Sequence, residues 1–232
     1  MKRMLVAMVI GLVGTVLGAL PAAAAFLGPS PYLSSADSPF SPFVGFSYFH
    51  LEDFEDHLFN VPGVTTNVGP CVTSVCFGPS IHDSVDADDG VIDGSGLLGD
   101  SMFFSSGATG IRFTFNATVL GALPNAAGIV WTDGAGTVTF EAFDAGGISL
   151  GTITGCIPNG SFNGETAEDC FHGITNSGGI SAILIHNSSG GIEVDHLQYG
   201  LRGEVPAVPE PASLLLLGAG LALLGGLART RR

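Results

Sequence analysis

The chain has 232 residues, with seven Lys and Arg against 21 Asp and Glu and a formal net charge of −14. Between residues 26 and 208 only Arg112 and Arg202 oppose the acids, a surface that would repel phosphate backbones and excludes an ordinary nucleic-acid binder. With 46% hydrophobic residues and 16 Phe the chain is too apolar to be wholly disordered, and its 35 Gly predict many turns and few helices.

Lys2 and Arg3 precede an apolar run from Met4 to Leu20, which ends in Pro21 and four alanines, Ala22 to Ala25. A basic start, an apolar middle and a small-residue exit make residues 1–25 a secretory signal peptide, with cleavage expected after Ala25. Residues 26–45 carry Pro29, Pro31, Pro39 and Pro42 among serines and read as a leader extended on the surface.

Residues 46–205 then read as one all-β domain, an antiparallel β-sandwich of jelly-roll-like form. From Ile111 to Val119 apolar residues take the odd positions, the period of a half-buried strand. Thr137 to Phe143 repeats the pattern, and Gly146-Gly147 turns the chain into Ile148 to Ile153. Ile180 to His186 suits a central strand, Asn187 to Gly191 a turn, and Ile192 to Tyr199 a last strand. That last run changes parity, because Ile192 and Val194 share one face while Leu197 and Tyr199 need the other. A β-bulge near Asp195-His196 would reconcile the two halves and aim that pair outward. No stretch sustains a helical stripe; Glu52 to Leu58 has room for one helical turn.

Cys71, Cys76, Cys156 and Cys170 form an even set in a chain expected to enter an oxidising space. Of the three possible pairings, Cys71–Cys76 with Cys156–Cys170 is favoured because each bridge closes its own loop. Zinc is the rival, but the spacings lack paired C-x₂-C.

The densest acidic stretch runs from Asp83 through Asp86, Asp88, Asp89 and Asp93 to Asp100. Carboxylates this crowded repel one another unless solvated or bridged, and hard oxygen donors suit calcium. Counted from Asp89, the EF-hand template keeps Asp93, Gly94 and Asp100 but puts Val91 at its third position. Asp86, Asp88, Asp89, Asp93 and Asp100 are therefore candidate calcium ligands, set against a merely solvated loop. Trp131 and Tyr199 are candidates either for packing inside the sandwich or for stacking on sugar.

Three catalytic patterns lack their structural context. Ser149 lies in a G-x-S-x-G inside an alternating strand, Gly94 to Gly99 match G-x-G-x-x-G without a βαβ unit, and Gly99-Asp100-Ser101 resembles the opening of GDS-type hydrolases. His50, His57, His82, His172, His186 and His196 are scattered, and surface or capping roles are expected of them.

At the C-terminus Pro209-Glu210-Pro211 leads into an uncharged run over about 212–228 and then Arg229, Arg231 and Arg232. The run is at the short limit for a helix spanning about 30 Å of hydrocarbon, and the arginines would hold that end in the cytoplasm. This three-part order, over residues 206–232, resembles the PEP-CTERM sorting signal of Gram-negative bacteria. The resemblance implies cutting by exosortase, a membrane cysteine protease, after transient anchoring in the inner membrane. It also implies a mature protein at the cell surface or in the matrix, among exopolysaccharide in biofilm or floc. A second resemblance rests on the acidic run Glu52, Asp53 and Asp56 and on Glu193-Val194-Asp195-His196. It is similar to carbohydrate-binding jelly rolls, in which an early acidic segment and a late Val-Asp strand share a structural calcium. This adds Glu52, Asp53 or Asp56 with Asp195 as candidate ligands. The leading expectation is an exported, non-catalytic surface or matrix protein. A lectin-like carbohydrate-binding module and a secreted hydrolase are the alternatives.

Overall fold

The computed structural model describes residues 24–69 and 83–203. Its strands are β1 (Ala25–Pro31), β2 (Phe46–Glu52), β3 (Val64–Thr66), β4 (Met102–Phe104), β5 (Ile111–Phe115), β6 (Ala126–Asp144), β7 (Ser149–Thr154), β8 (Cys170–Thr175) and β9 (Ile180–Arg202). All the pairings among these strands are antiparallel.

Two long strands, β6 and β9, organise the sheets. Residues 126–131 of β6 lie between β8 and the C-terminal half of β9, which gives the order β1–β8–β6–β9–β2. Residues 139–143 of β6 lie instead between β7 and the N-terminal half of β9, which gives β7–β6–β9–β5–β3. The same two strands thus pass through both sheets of an antiparallel sandwich. Their bend sits where the register slips around Ala135, beside Gly134 (φ 155°) and Gly136 (φ 84°). Asn187 holds the bend, its side-chain amide donating to the carbonyls of Ala135, Ser189 and Gly191. Bulges of this kind let a strand change sheets without losing its ladder.

Alternation along β6 then builds two apolar layers. Ala127, Ile129 and Trp131 join Phe113, Phe140, Ile185 and Tyr199 in the main core. Ala126 and Val130 face the other way and pack with Tyr32, Phe40, Val85 and Phe171. The cover of this second layer comes from the segments around Tyr32–Phe43 and Asp83–Asp100.

Several expectations need correction. Residues 26–45 are no surface leader: strand β1 pairs with β8, and Tyr32 and Phe40 are buried. The serines and prolines hid apolar residues whose partners are distant in sequence. The strand expected over 111–119 stops at Phe115, because the Asn116 side chain accepts from Thr118 N and Val119 N and starts the single helical turn α1 (Ala117–Leu120). Asn187 to Gly191 is the irregular middle of β9 rather than a turn between strands. Glu52 to Leu58 forms hydrogen-bonded turns, not a helix. The register of β9 does slip opposite Gly128/Val130, with His196 at φ 45°, but Asp195 and His196 point inward and are buried.

Residues 1–23 of the expected signal peptide, the Cys71–Cys76 bridge, His82, the sorting residues Pro209, Glu210, Pro211, Arg229, Arg231 and Arg232, and the helix about 212–228 lie outside the described residues, whereas Ala25, the last residue expected to be cut away, opens β1. Among the described residues no helix is long and apolar enough to cross a membrane.

Candidate functional site

Two polar systems are buried between the second face of the sheet and its covering segments. The first is a chain of hydrogen bonds. Ser38 Oγ donates to Gln198 Oε1, Gln198 Nε2 donates to the Tyr32 hydroxyl at 2.9 Å, and that hydroxyl lies 2.9 Å from His196 Nδ1. The hydroxyl already accepts from Gln198, so its own proton is directed at Nδ1. His196 Nε2 then meets Asp88 Oδ1 at 3.0 Å. Asp195 stands beside them, accepting from Val85 N and from His196 N. Burial, then the neighbouring Asp88, push the Asp195 carboxyl well above the usual range.

Asp88, Asp195 and His196 present ligand atoms within 4.8 Å of one another. The structure therefore joins one residue from each of the two candidate calcium sets. Asp88 Oδ2 accepts from Ser84 Oγ as well, so each ligand atom of the group has a partner within the protein.

The second system differs. Asp133 on β6 and Glu193 on β9 are register partners. Asp83 lies in the covering segment, and Glu165, Glu168 and Asp169 lie around the 3-10 turn Thr166–Glu168 before β8. Loops 83–96 and 164–165 are clasped together by Gly96 N to Gly164 O, Ser84 N to Gly96 O and a bridge between Ser95 and Glu165. Gly96 has no room for a side chain: a Cβ would meet Ser84 O at 2.1 Å and Asp83 Oδ1 at 2.5 Å.

Asp83, Asp133, Glu168, Asp169 and Glu193 are all buried. Burial is the main cause pushing the Asp83 carboxyl up to about 9, reinforced by Glu193, Asp133, Glu168 and Glu165. Burial likewise pushes Asp133 up to about 7 and Asp169 well above the carboxylate range. Among the described residues, five of the eight buried side-chain atoms without a hydrogen-bond partner are carboxylate oxygens of Asp83, Glu165, Glu168 and Asp169. The two arginines of the body lie over aromatic rings elsewhere, Arg112 on Phe143 and Arg202 on Phe46.

The other candidate ligands are already occupied or lie apart. Asp86 accepts from Asp93 N, Gly94 N and Thr166 Oγ1, and these bonds outweigh its burial and lower its pKa. Glu52 accepts from the backbone of Phe54, Asn60 and Val61. Asp53 and Asp56 cap local turns, and Asp100 pairs with His57 at 2.5 Å. Asp89 and Asp93 are exposed. The proposed sharing of one ion between Glu52 and Asp195 is thus not what the hydrogen bonds build.

Trp131 and Tyr199 are fully buried in the main core. Neither ring offers a face to sugar, because the alternation of β6 and β9 turns both inward. Cys156 and Cys170 form a disulfide, with His172 packed against Cys156 Sγ. Ser149 stays in strand β7 and donates to Glu141, and Ser101 is buried on Glu193. Sequence reasoning missed Asp133, Glu165, Glu168, Asp169 and Glu193. The available signal was an acid inside an apolar strand run, as in Val130-Trp131-Thr132-Asp133 and Ile192-Glu193-Val194.

Residues 207–232 match the family model of the PEP-CTERM protein-sorting motif. That motif implies an exported protein processed by exosortase, with transient membrane anchoring before sorting. No curated protein matches the chain. Three solved structures resemble the body only distantly. One is the C-terminal family 22 carbohydrate-binding module of Clostridium thermocellum Xyn10B, at 15% identity over 69% of this chain and 97% of that one, with a TM-score of 0.28. Another is a xylan-binding domain of the same module family, at 15% over 70% and 98%, TM-score 0.29. The third is the enzymatically active domain of bacteriophage CBA120 tailspike protein 4, at 18% over 75% and 22%, TM-score 0.27. At these scores the likenesses carry no argument about this chain.

Proposed function

We propose that this chain is an exported, non-catalytic cell-surface or matrix protein, a β-sandwich delivered by a C-terminal tail that exosortase removes. The observation that carries this reading is the sorting motif over residues 207–232. The absence of catalysis is supported by the fate of the serine motifs: Ser101 is buried, and Ser149 bonds a strand neighbour rather than a histidine. Extracellular polysaccharide is the surrounding the mature protein meets in this reading. The lectin-like alternative has lost both of its stacking residues to the core.

Mass spectrometry of the surface fraction, from producer cells with and without exosortase, tests the reading. With the enzyme, the chain is expected to begin at about Phe26 and to end near Pro209–Pro211. Without it, the arginine terminus persists in the membrane fraction. A surface product that still ends at Arg232 in enzyme-containing cells overturns the proposal. Co-sedimentation with the producer's own polysaccharide tests the association separately.

A further inference from the structure

The bridge between Cys156 and Cys170 has a third neighbour that a structural disulfide does not need. Cys170 and His172 are two positions apart on β8, so their side chains leave the same face of the strand. Cys156 reaches them from the segment that follows β7. His172 is fully buried, and its ring stacks on Phe140 with 6.1 Å between centroids and 19° between planes. Its Nε2 lies 3.6 Å and its Nδ1 3.9 Å from Cys156 Sγ. Both sulfurs and an imidazole nitrogen lie within 4.8 Å of one another. A cavity of about 290 Å³ opens on the bridge, lined by both cysteines with Pro29, Pro31, Ile157 and Glu168. Cys156 takes a left-handed backbone conformation, φ 73°, which a residue with a Cβ adopts only under constraint. A bridge that is both reachable and constrained belongs to the labile kind.

We propose that Cys156, Cys170 and His172 are a zinc site held closed by the disulfide and opened when a dithiol reduces it. The dithiol's thiolate attacks one sulfur of the bridge and the other leaves as a thiolate. The second thiol then displaces the first, so the reductant ends as a disulfide, and two electrons and two protons pass to the cysteines. Zinc replaces both thiol protons and takes the neutral imidazole as its third ligand. Nitrogen and sulfur on one tetrahedral zinc stand about 3.5 Å apart, given bonds of about 2.0 and 2.3 Å, and the 3.6 Å between His172 and Cys156 already matches this. The sulfurs must part from about 2.0 Å to about 3.8 Å, which side-chain rotation supplies across a Cα–Cα distance of 6.1 Å. The cavity leaves the fourth position to water. Two thiolates and one zinc ion sum to zero charge, which suits a buried place, and sulfur donors select zinc over calcium or magnesium. The site does not rest on the sorting reading.

The test uses the full chain in detergent carrying C71S/C76S, so that one cysteine pair remains. The protein is reduced with dithiothreitol, desalted without oxygen and titrated with zinc chloride against a chromophoric chelator. One zinc per chain is expected in the reduced protein, with protons released on binding, and no comparable uptake in the oxidised one. X-ray absorption of the loaded protein should find two sulfurs at about 2.3 Å and a nitrogen at about 2.0 Å. Loss of a partner that only orients a ligand costs about 10–100-fold in affinity, so H172Q, which removes a direct ligand, should cost at least about a hundredfold. A hundredfold excess of zinc over its dissociation constant should raise the melting temperature of the reduced protein by about 5–10 °C and leave the oxidised protein unmoved. Reduced protein that takes up no zinc overturns the proposal, as does equal uptake by the oxidised protein. So does undiminished affinity in H172Q. A metal shell without nitrogen overturns it as well, and that measurement decides even where H172Q fails to fold.

Discussion

Tyr32 and His196 are separated by 164 positions in the sequence and meet at 2.9 Å inside the protein. The tyrosine ring also stacks on Phe171 and stands nearly perpendicular to the imidazole, so one side chain contributes both an apolar and a polar contact. Through this pair the first segment of the folded body is locked onto its last strand. Removing the hydroxyl orphans His196 Nδ1 and Gln198 Nε2 in a dry layer. Tyr32→Phe is therefore expected to lower stability by about 1–3 kcal/mol, although the ring remains. Urea denaturation of the two proteins checks this; equal midpoints would show that the relay contributes nothing.

Trp131→Ala should behave as a core deletion. The ring is fully buried, and its loss is expected to cost about 3–5 kcal/mol. A variant that kept wild-type stability but lost binding to a polysaccharide would restore the stacking role withdrawn above.

Gly96→Ala probes the close approach of the covering segment. The new methyl group would press on Ser84 O and Asp83 Oδ1, and a loss of about 1–3 kcal/mol is expected from overpacking. Thermal scans of the two proteins check this.

His172 gives a pH signature away from the carboxylates. Burial lowers its pKa to about 4. Between that value and the unfolded value of about 6.5, the unfolded chain holds a proton that the native chain refuses. The contribution of His172 is therefore full above pH 6.5 and falls as pH drops towards 4. The stability of the wild type relative to H172Q should decline over that window, while a flat difference would place the imidazole in water. NMR titration of the ring gives the same value directly.

The Cys156–Cys170 bridge closes a loop of 14 residues' separation beside Glu168 and Asp169. On the chain-entropy account its removal in C156S/C170S should cost about 3 kcal/mol. Unfolding curves under oxidising conditions measure this, and a much smaller loss would mean that the loop is ordered by other contacts.

How much of this was legible follows the range of each interaction. The alternation of Ile111–Val119 and Thr137–Phe143 and the apolar run Ile180–His186 are local, and they marked strands there, although the first stops at Phe115. The bridge between Cys156 and Cys170 followed from spacing and compartment. The sequence could not show that Tyr32 and Phe40 pack on Phe171, because serine and proline around them give a loop's composition. Nor could it show that β6 and β9 run through both sheets, since a bend at Gly134–Gly136 looks like a hairpin turn until its partners are known. The acids divided in an instructive way. Crowding in sequence pointed to Asp86–Asp93, where exposure and backbone N–H groups satisfy the charges. Among the described residues the carboxylate oxygens without a partner belong to Asp83, Glu165, Glu168 and Asp169, which lie far apart in the chain.

Strand β9 ends at Arg202, with Gly203 N still bonded to Gly45 O at the sheet edge. Five residues separate Gly203 from Pro209, a tether of about 21 Å even when fully drawn out. A protease working at the Pro-Glu-Pro step would thus have to operate almost in contact with the sandwich. Any acceptor joined to the new carboxyl end would hold the protein by the root of its longest strand, so that a pull from outside would load the backbone ladder of β9 along its length.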